Sequence, residues 1–260
     1  MKPTRPPMHE FLGSMDRFTQ ALPILVEKPF TKEQIQGMRD VLEKNRANPL
    51  GTVRIPGEHE EYRSDGNRFD PRIMKHMSRM VIEFVCPKDS EDVMDKYVKP
   101  LYNGDIRLTH YSYLDYNPKY GEGEYLPSLP PHVDSANTLV TFNYCLDGNI
   151  DWDVVVDGKS YELKPGDALL FSAVNQTHWR PKRKWKEGDF MEILTFDYSP
   201  PDDWRFTHGV DPLDATMFAE EFQAYIKDLH SRPELISAWD QYNAEGREIG
   251  IPDSMHGDWE

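Results

Sequence analysis

The chain of 260 residues is long enough to bury a substantial core, and it carries thirteen tyrosines, twelve phenylalanines and six tryptophans. Its hydrophobic fraction of 38% argues against global disorder. The formal net charge of -15 should repel nucleic acids and anionic membranes, so neither is expected as a partner. The same charge favours neutral or cationic substrates over anionic ones.

Cysteine usage and the N-terminal stretch bear on the cellular compartment. Cys86 and Cys145 are the only cysteines, and two isolated cysteines in a chain of this length are more typical of reduced core residues than of a disulfide. The N-terminal stretch has no apolar segment of signal-peptide length, and no run of about 18 apolar residues occurs in the chain. We therefore expect a cytoplasmic protein, whose oligomeric state the sequence does not indicate.

The elements predicted before residue 105 are mostly helical. Residues 1–30 are proline-rich, and irregular structure is expected there. A helix follows, because Thr31 can cap its start with Gln34 three positions on, as in a capping box. Residues 46–70 carry the turn residues and charges typical of an exposed loop or ribbon. Two more helices are predicted at about 71–85 and 89–99.

From about residue 105 the pattern changes to short strands. Segments such as TLVTFNYCL, WDVVVDG and FMEILTFDY alternate and are rich in β-branched and aromatic residues. No helical pattern separates them, which indicates antiparallel pairing in a sandwich or barrel. The Asp-Gly pair in VDGKSY predicts a turn between two strands. After about residue 212 the pattern returns to helix, in DATMFAEEFQAYIKDLH and PELISAWDQYNAE.

We predict a single domain over residues 1–260, because no internal repeat or second globular unit is visible. N-terminal helices and loops (1–104) should support a β core (105–200), and C-terminal helices and an acidic tail (201–260) should complete it. The expected fold class is mainly β with flanking helices.

A histidine and an aspartate stand one residue apart in the stretch LPPHVD, just before an apolar run. On a strand His132 and Asp134 would point to the same side, because side chains at i and i+2 share a face. An imidazole and a carboxylate together suit a divalent first-row metal. Such a pair alone is more often a simple hydrogen bond between the two side chains. A metal site would need at least one further ligand from elsewhere in the chain.

A second histidine follows the stretch KPGDALLF, which predicts a turn and then a buried strand over 168–171. His132, Asp134 and His178 would be two imidazoles and one carboxylate from different strands, a set that leaves coordination positions open, as in non-haem Fe(II) oxygenases. A closed zinc site would need a fourth protein ligand, usually cysteine, and neither cysteine lies at ligand spacing. The sequence therefore predicts an open metal site, the alternative being a pair of core histidines with ordinary hydrogen bonds.

The order LPPHVD, TLVTFNYCL, KPGDALLF, QTHWRP resembles the Fe(II)- and 2-oxoglutarate-dependent oxygenases, and among them the prolyl-hydroxylase-like branch. The resemblance covers about residues 105–198 and implies a double-stranded β-helix (jelly-roll or cupin-like) core. It also implies that His132, Asp134 and His178 are catalytic residues that bind Fe(II), with 2-oxoglutarate and O2 as cosubstrates and ascorbate as a further candidate. Related halogenases have Gly or Ala at the carboxylate position, so Asp134 favours hydroxylation, desaturation or cyclisation.

One part of the family pattern is missing. The family usually binds the distal carboxylate of 2-oxoglutarate with an Arg or Lys on the strand after the distal histidine, where this chain has Phe190. Arg180 has the same strand parity as His178, and a guanidinium can bind a carboxylate through two hydrogen bonds. We predict that Arg180 takes this role. The remaining candidates for cosubstrate binding share one predicted strand and are Arg107, Tyr111 and Tyr113.

The predicted activity is hydroxylation of an unactivated C–H bond, with succinate and carbon dioxide as co-products. The substrate would be an amino acid, a peptide or protein side chain, or a small metabolite. The alternative is a cupin-like protein that uses the same barrel without O2, as a metal-dependent isomerase or a non-catalytic small-ligand binder. A third hypothesis, an interaction module with an acidic surface, has only the net charge in its favour. Consumption of 2-oxoglutarate separates the first from the other two.

Overall fold

Two β-sheets face one another and carry helices on their outer sides in the computed structural model of the chain. The expected fold class, mainly β with flanking helices, is confirmed. The helix predicted within 214–230 and the acidic tail lie outside the described part of the chain. The structure describes residues 22–47, 52–54, 61–63, 72–74, 78–84, 86–101, 106–121, 126–134, 139–173, 175–199 and 232–253.

The described residues form three α-helices and thirteen strands. The helices are α1 (Lys32–Ala47), α2 (Lys88–Val98) and α3 (Pro233–Glu248). None of them is long and apolar enough to cross a membrane. The strands are β1 (Ile24–Val26), β2 (Thr52–Arg54), β3 (Glu61–Arg63), β4 (Arg72–Met74), β5 (Arg79–Glu83), β6 (Arg107–Tyr116), β7 (Leu129–His132), β8 (Val140–Gly148), β9 (Val154–Val156), β10 (Lys159–Tyr161), β11 (Ala168–Phe171), β12 (His178–Arg180) and β13 (Met191–Ser199).

The chain passes repeatedly from one sheet to the other. The large sheet has the order β1-β11-β8-β13-β6-β5-β4, and the small sheet has the order β10-β9-β12-β7. From β6 onward the chain alternates between them, with β6, β8, β11 and β13 in the large sheet and the intervening strands in the small one. All pairings in the two sheets are antiparallel. This alternation is the topology of a double-stranded β-helix, as predicted.

Three apolar layers hold the fold together. In the outer layer of the large sheet, Met38 of α1 and Met94 of α2 pack with Phe142 of β8. Behind the small sheet, Trp239 of α3 packs with Trp179 of β12. The third layer occupies part of the space between the two sheets. Because apolar helix faces cover both outer sides, the inner space is the place left for a ligand.

Two expectations for the first part of the chain are wrong. Residues 24–26 are not irregular, since β1 pairs with β11 at the edge of the large sheet. The helix predicted at 71–85 is replaced by β4 and β5, which continue that sheet beyond β6. Val81 and Ile82 are both buried, Val81 against the cavity described below and Ile82 in the outer layer. A strand buried on both faces loses its alternation, which explains the error.

The predicted capping box begins α1 and offers a stability test. The Thr31 N–H donates to Oε1 of Gln34 over 3.0 Å, and the Gln34 N–H donates to Oγ1 of Thr31 over 3.3 Å. We expect Thr31→Ala to lower the free energy of unfolding by about 1 kcal/mol, because the cap acceptor is lost. Thr31→Ser keeps the acceptor and is the control. Urea unfolding measures both, and equal stability of the alanine and serine variants would contradict the assignment.

Both cysteines are free and buried, as predicted. Burial raises the pKa of the Cys145 thiol to about 12 and raises that of Cys86 as well. The thiolate is the reactive form. We therefore expect neither residue to be alkylated by iodoacetamide at about pH 8 in the native protein, and both to be alkylated after unfolding in urea. Peptide mass spectrometry measures this, and rapid labelling of the native chain would contradict the described packing.

Candidate metal centre

Two histidines lie side by side in the small sheet. His132 ends β7 and is in register with His178, which begins β12, and their ring centroids are 4.2 Å apart. Asp134 follows just after β7, where its N–H donates a 2.8 Å hydrogen bond to the carbonyl oxygen of Ala173. This anchor brings the carboxylate to both rings. Its Oδ1 lies 3.4 Å from Nε2 of His132 and 3.8 Å from Nε2 of His178.

Main-chain carbonyls orient both imidazoles. Nδ1 of His132 lies 2.7 Å from the carbonyl oxygen of Pro130, and Nδ1 of His178 lies 3.1 Å from that of Gln176. A carbonyl oxygen only accepts, so this network assigns the proton to Nδ1 in each ring. Each Nε2 then presents its lone pair toward Asp134. This is the arrangement in which a second interaction fixes a histidine for metal binding through Nε2.

The three acceptor atoms converge at distances that suit a metal ion. One ligand atom from each of His132, Asp134 and His178 lies within 4.8 Å of the other two. Burial lowers the pKa of His178 to about 4. Burial also opposes ionisation of Asp134, but its contacts with the two histidines hold its pKa below the usual value. A neutral imidazole nitrogen and a carboxylate oxygen repel unless a cation lies between them. The donor set therefore fits a divalent metal.

A cavity of about 280 Å³ extends from the three-residue cluster between the two sheets. Arg180 lines it, two residues beyond His178 on the same strand, and is only 2% exposed. Its guanidinium donates to the carbonyl oxygen of Trp152 and, over 3.5 Å, to Oδ1 of Asn143. The guanidinium carbon also lies 5.2 Å from the centre of the Trp152 ring. Arg180 and His178 therefore line the same cavity.

Arg180 forms no ion pair within the part of the chain that the structure describes. Burial lowers the pKa of its guanidinium from the ordinary value, and the charge of Asp153 opposes this shift without cancelling it. Burying a cation without an anionic partner is costly. An anion that enters the cavity would therefore bind a guanidinium that is already desolvated and already fixed in position.

The other three residues predicted to contact the cosubstrate lie elsewhere, contrary to the expectation. Tyr113 is buried in the outer layer, where its hydroxyl donates a 2.7 Å hydrogen bond to Glu192. Tyr111 packs against the same layer, and Arg107 is exposed. The reason is strand alternation, because the odd-numbered residues 111 and 113 face the helices while the even-numbered residues of 112–116 line the cavity.

Two cavity residues escaped the sequence interpretation. Asp197 of β13 accepts a 2.8 Å hydrogen bond from Oγ1 of Thr141, and burial together with the charge of Asp134 raises its pKa to about 8. Alternation along FMEILTFDY could have identified it, because Asp197 is an even number of residues from Ile193 and therefore lies on the same face of the strand, toward the cavity. Arg79 of β5 also lines the cavity. No signal pointed to it, because its segment was assigned to a helix.

Comparison with known proteins finds solved structures with a similar fold. No protein-family model and no curated protein matches the sequence. Similar solved structures include the non-heme alpha ketoglutarate dependent epimerase SnoN from nogalamycin biosynthesis, with 12% identity, a TM-score of 0.43 and coverage of 75% of this chain and 84% of SnoN. HygX from Streptomyces hygroscopicus, with nickel and 2-oxoglutarate bound, has 14% identity, a TM-score of 0.41 and coverage of 76% and 89%.

A third similar structure is the viral collagen prolyl hydroxylase vCPH from Paramecium Bursaria Chlorella virus-1. It has 9% identity, a TM-score of 0.40 and coverage of 68% of this chain and 96% of vCPH. The structure of vCPH, like that of HygX, is a complex with 2-oxoglutarate. Likeness at this level assigns no reaction to this chain, so its chemistry has to follow from its own residues.

Proposed function

We propose that the chain is an Fe(II)- and 2-oxoglutarate-dependent dioxygenase that hydroxylates a C–H bond of a small molecule, an amino acid or a peptide. One observation carries the proposal. A single cavity holds both an open three-ligand cluster and the buried guanidinium of Arg180, which has no carboxylate partner among the described residues. The cluster suits a metal that keeps coordination positions for other ligands, and the guanidinium suits the far end of a dicarboxylate.

In this proposal Arg180 binds the distal carboxylate of 2-oxoglutarate. It stands two residues from His178 on β12, so the two Cα atoms are about 6.6 Å apart and the side chains share a face. A five-carbon dicarboxylate can bridge such a span. At the start of β13, Met191 fills the layer between the sheets and Phe190 does not line the cavity. The start of β13 therefore supplies no cation to the cavity. In this proposal Arg180 of the small sheet takes that role.

The side chains of the cavity have distinct tasks. His132, Asp134 and His178 hold the iron, while Trp152 and Asn143 keep the guanidinium of Arg180 in place through the contacts given above. When bound, ferrous iron with 2-oxoglutarate and O2 supplies the oxidation of a C–H bond to an alcohol, and 2-oxoglutarate leaves as succinate and carbon dioxide.

Succinate formation tests the proposal. The Fe(II)-loaded protein is incubated with 2-oxoglutarate in air and, in parallel, without O2, and succinate is measured by mass spectrometry. We expect slow formation in air even without a substrate, none without O2, and none with the His178→Ala variant. Equal succinate in the wild type and this variant would contradict the proposal. It would favour the cupin-like alternative, in which the metal serves an isomerase or a ligand-binding protein.

A further inference from the structure

A buried glutamine closes the connection between β11 and β12. Gln176 is only 2% exposed. Its Oε1 accepts a 2.8 Å hydrogen bond from the N–H of Ser172, and its own N–H donates over 2.7 Å to the carbonyl oxygen of Ser172. Two reciprocal hydrogen bonds therefore join the beginning of this connection to a residue near its end.

The amide nitrogen of the same side chain ties the connection to two other parts of the fold. Nε2 donates a 2.9 Å hydrogen bond to Oδ2 of Asp157 and a 3.4 Å hydrogen bond to the carbonyl oxygen of Leu22. Asp157 lies in the turn between β9 and β10, and its N–H donates over 2.8 Å to the carbonyl oxygen of Thr177. Movement of the glutamine would leave several buried polar groups without hydrogen bonds, which is costly. The side chain therefore fixes the connection in one arrangement.

Two carbonyl groups of this connection contact the candidate metal ligands. The carbonyl oxygen of Ala173, which directly follows Ser172, accepts the N–H of Asp134. The carbonyl oxygen of Gln176 lies 3.1 Å from Nδ1 of His178. One side chain thus controls the group that anchors Asp134 and the group that orients His178.

We infer that Gln176 is a positioning residue of the metal centre, which holds the β11–β12 connection in the arrangement that fixes Asp134 and His178. The inference rests on the proposed function, because these two side chains are taken there to hold the metal. It adds a determinant of metal affinity that does not line the cavity. Partners of this kind, one step removed from the metal, typically change metal affinity by about 10–100-fold.

An exchange of donor and acceptor between Gln176 and Asp157 tests the inference. Gln176→Glu keeps the acceptor for the N–H of Ser172, but it removes the donor and brings two carboxylates together. We expect its affinity for Ni(II), an air-stable substitute for Fe(II), to fall about tenfold in a calorimetric titration of the metal-free protein. Asp157→Asn alone keeps an acceptor oxygen and should bind Ni(II) like the wild type. Asparagine also tolerates the positive φ of 49° at this position.

The double variant Gln176→Glu/Asp157→Asn supplies the rescue. The introduced amide can donate to the introduced carboxylate, so the hydrogen bond is restored with its direction reversed. We expect the Ni(II) affinity to return to within about threefold of the wild type, which independent effects of the two changes would not produce. Gln176→Met keeps the length of the side chain without its hydrogen bonds, and it replaces Gln176→Glu in the comparison if that variant does not fold.

Two further measurements separate positioning from a general loss of stability. Tyr198→Phe removes another buried hydrogen bond, which the tyrosine hydroxyl donates to Asp95 over 3.2 Å in the outer layer. It should lower the stability in urea without changing the Ni(II) affinity. Proton–nitrogen NMR of the metal-free protein reports the tautomer of His178. We expect the proton on Nδ1 in the wild type and the double variant, and a mixture of tautomers in Gln176→Glu.

The outcomes distinguish this inference from the proposed function. Equal Ni(II) affinity in the wild type and Gln176→Glu, an equal loss in Tyr198→Phe, or a double variant as weak as the single one would each overturn the inference. Absence of succinate with a wild type that binds Ni(II) would contradict the proposed function and leave the role of Gln176 intact. A wild type that does not bind Ni(II) would contradict the metal centre itself, and the tautomer of His178 would still show whether Gln176 orients that ring.

Discussion

Replacing His132, Asp134 or His178 by alanine is expected to abolish both iron binding and the conversion of 2-oxoglutarate. Each change removes one of three ligand atoms that lie within 4.8 Å of one another. Loss of a mere outer-shell partner typically weakens metal binding by about 10–100-fold, and loss of a ligand should exceed that. Competition with a chromophoric Fe(II) chelator measures the affinity, and succinate formation measures the turnover.

Val133→Ile is the matched control for these variants. Val133 lies between two of the ligands in sequence, but its side chain packs against the outer layer of the fold and does not line the cavity. We expect this variant to keep its iron and its turnover within about threefold, because conservative apolar exchanges are usually tolerated. Retained turnover in Asp134→Ala would contradict the ligand set.

The second large effect is expected at Arg180. Replacement by methionine removes the buried cation and should weaken 2-oxoglutarate binding by about 30- to 100-fold, which is typical for the loss of a charged hydrogen-bonded partner. The stability of the fold should change far less. Relief of the cost of burying the charge offsets the lost hydrogen bond to the Trp152 carbonyl, so the free energy of unfolding should move by less than about 2 kcal/mol.

An analogue of the cosubstrate separates a binding role of Arg180 from a structural one. 2-Oxovalerate has the same five carbons and the same metal-binding end, but a methyl group replaces the distal carboxylate. It should bind the wild type and Arg180→Met with similar affinity, whereas 2-oxoglutarate should discriminate between them. Calorimetric titration of the Ni(II)-loaded proteins measures both ligands. If both ligands lose affinity equally, or if neither does, Arg180 does not bind the distal carboxylate.

The sequence was sufficient to predict that His132, Asp134 and His178 would be grouped together. His132 and Asp134 are close in sequence, and the resemblance in motif order added His178 from a different strand. The structure pairs that strand, β12, with β7 and brings His178 into register with His132. The hairpin turn at Asp157 and Gly158 could be predicted from these two residues alone. Both residues have positive φ, 49° and 77°, as such a turn requires. Interactions that depend on spacing within one segment or on a turn can be read from a single sequence.

Contacts that depend on the pairing of distant strands could not be predicted in this way. The face that β6 turns to the cavity is set by its register with β13 and β5, and the sequence interpretation chose the wrong face for Tyr111 and Tyr113. Arg79 reaches the cavity only because β5 extends the large sheet. A strand buried on both sides has no alternation to reveal it. The position of Arg79 at the cavity could therefore not be predicted from the sequence.

The most direct test of the central claim is an anaerobic visible absorption spectrum of the Fe(II)-loaded protein during titration with 2-oxoglutarate. Chelation of ferrous iron through the 1-carboxylate and the 2-oxo group gives a weak charge-transfer band. We predict that this band appears in the wild type, needs a much higher 2-oxoglutarate concentration in Arg180→Met, and is absent in His178→Ala. A wild-type protein that binds iron but shows no band at saturating 2-oxoglutarate would contradict the claim that this cavity is a 2-oxoglutarate-dependent iron centre.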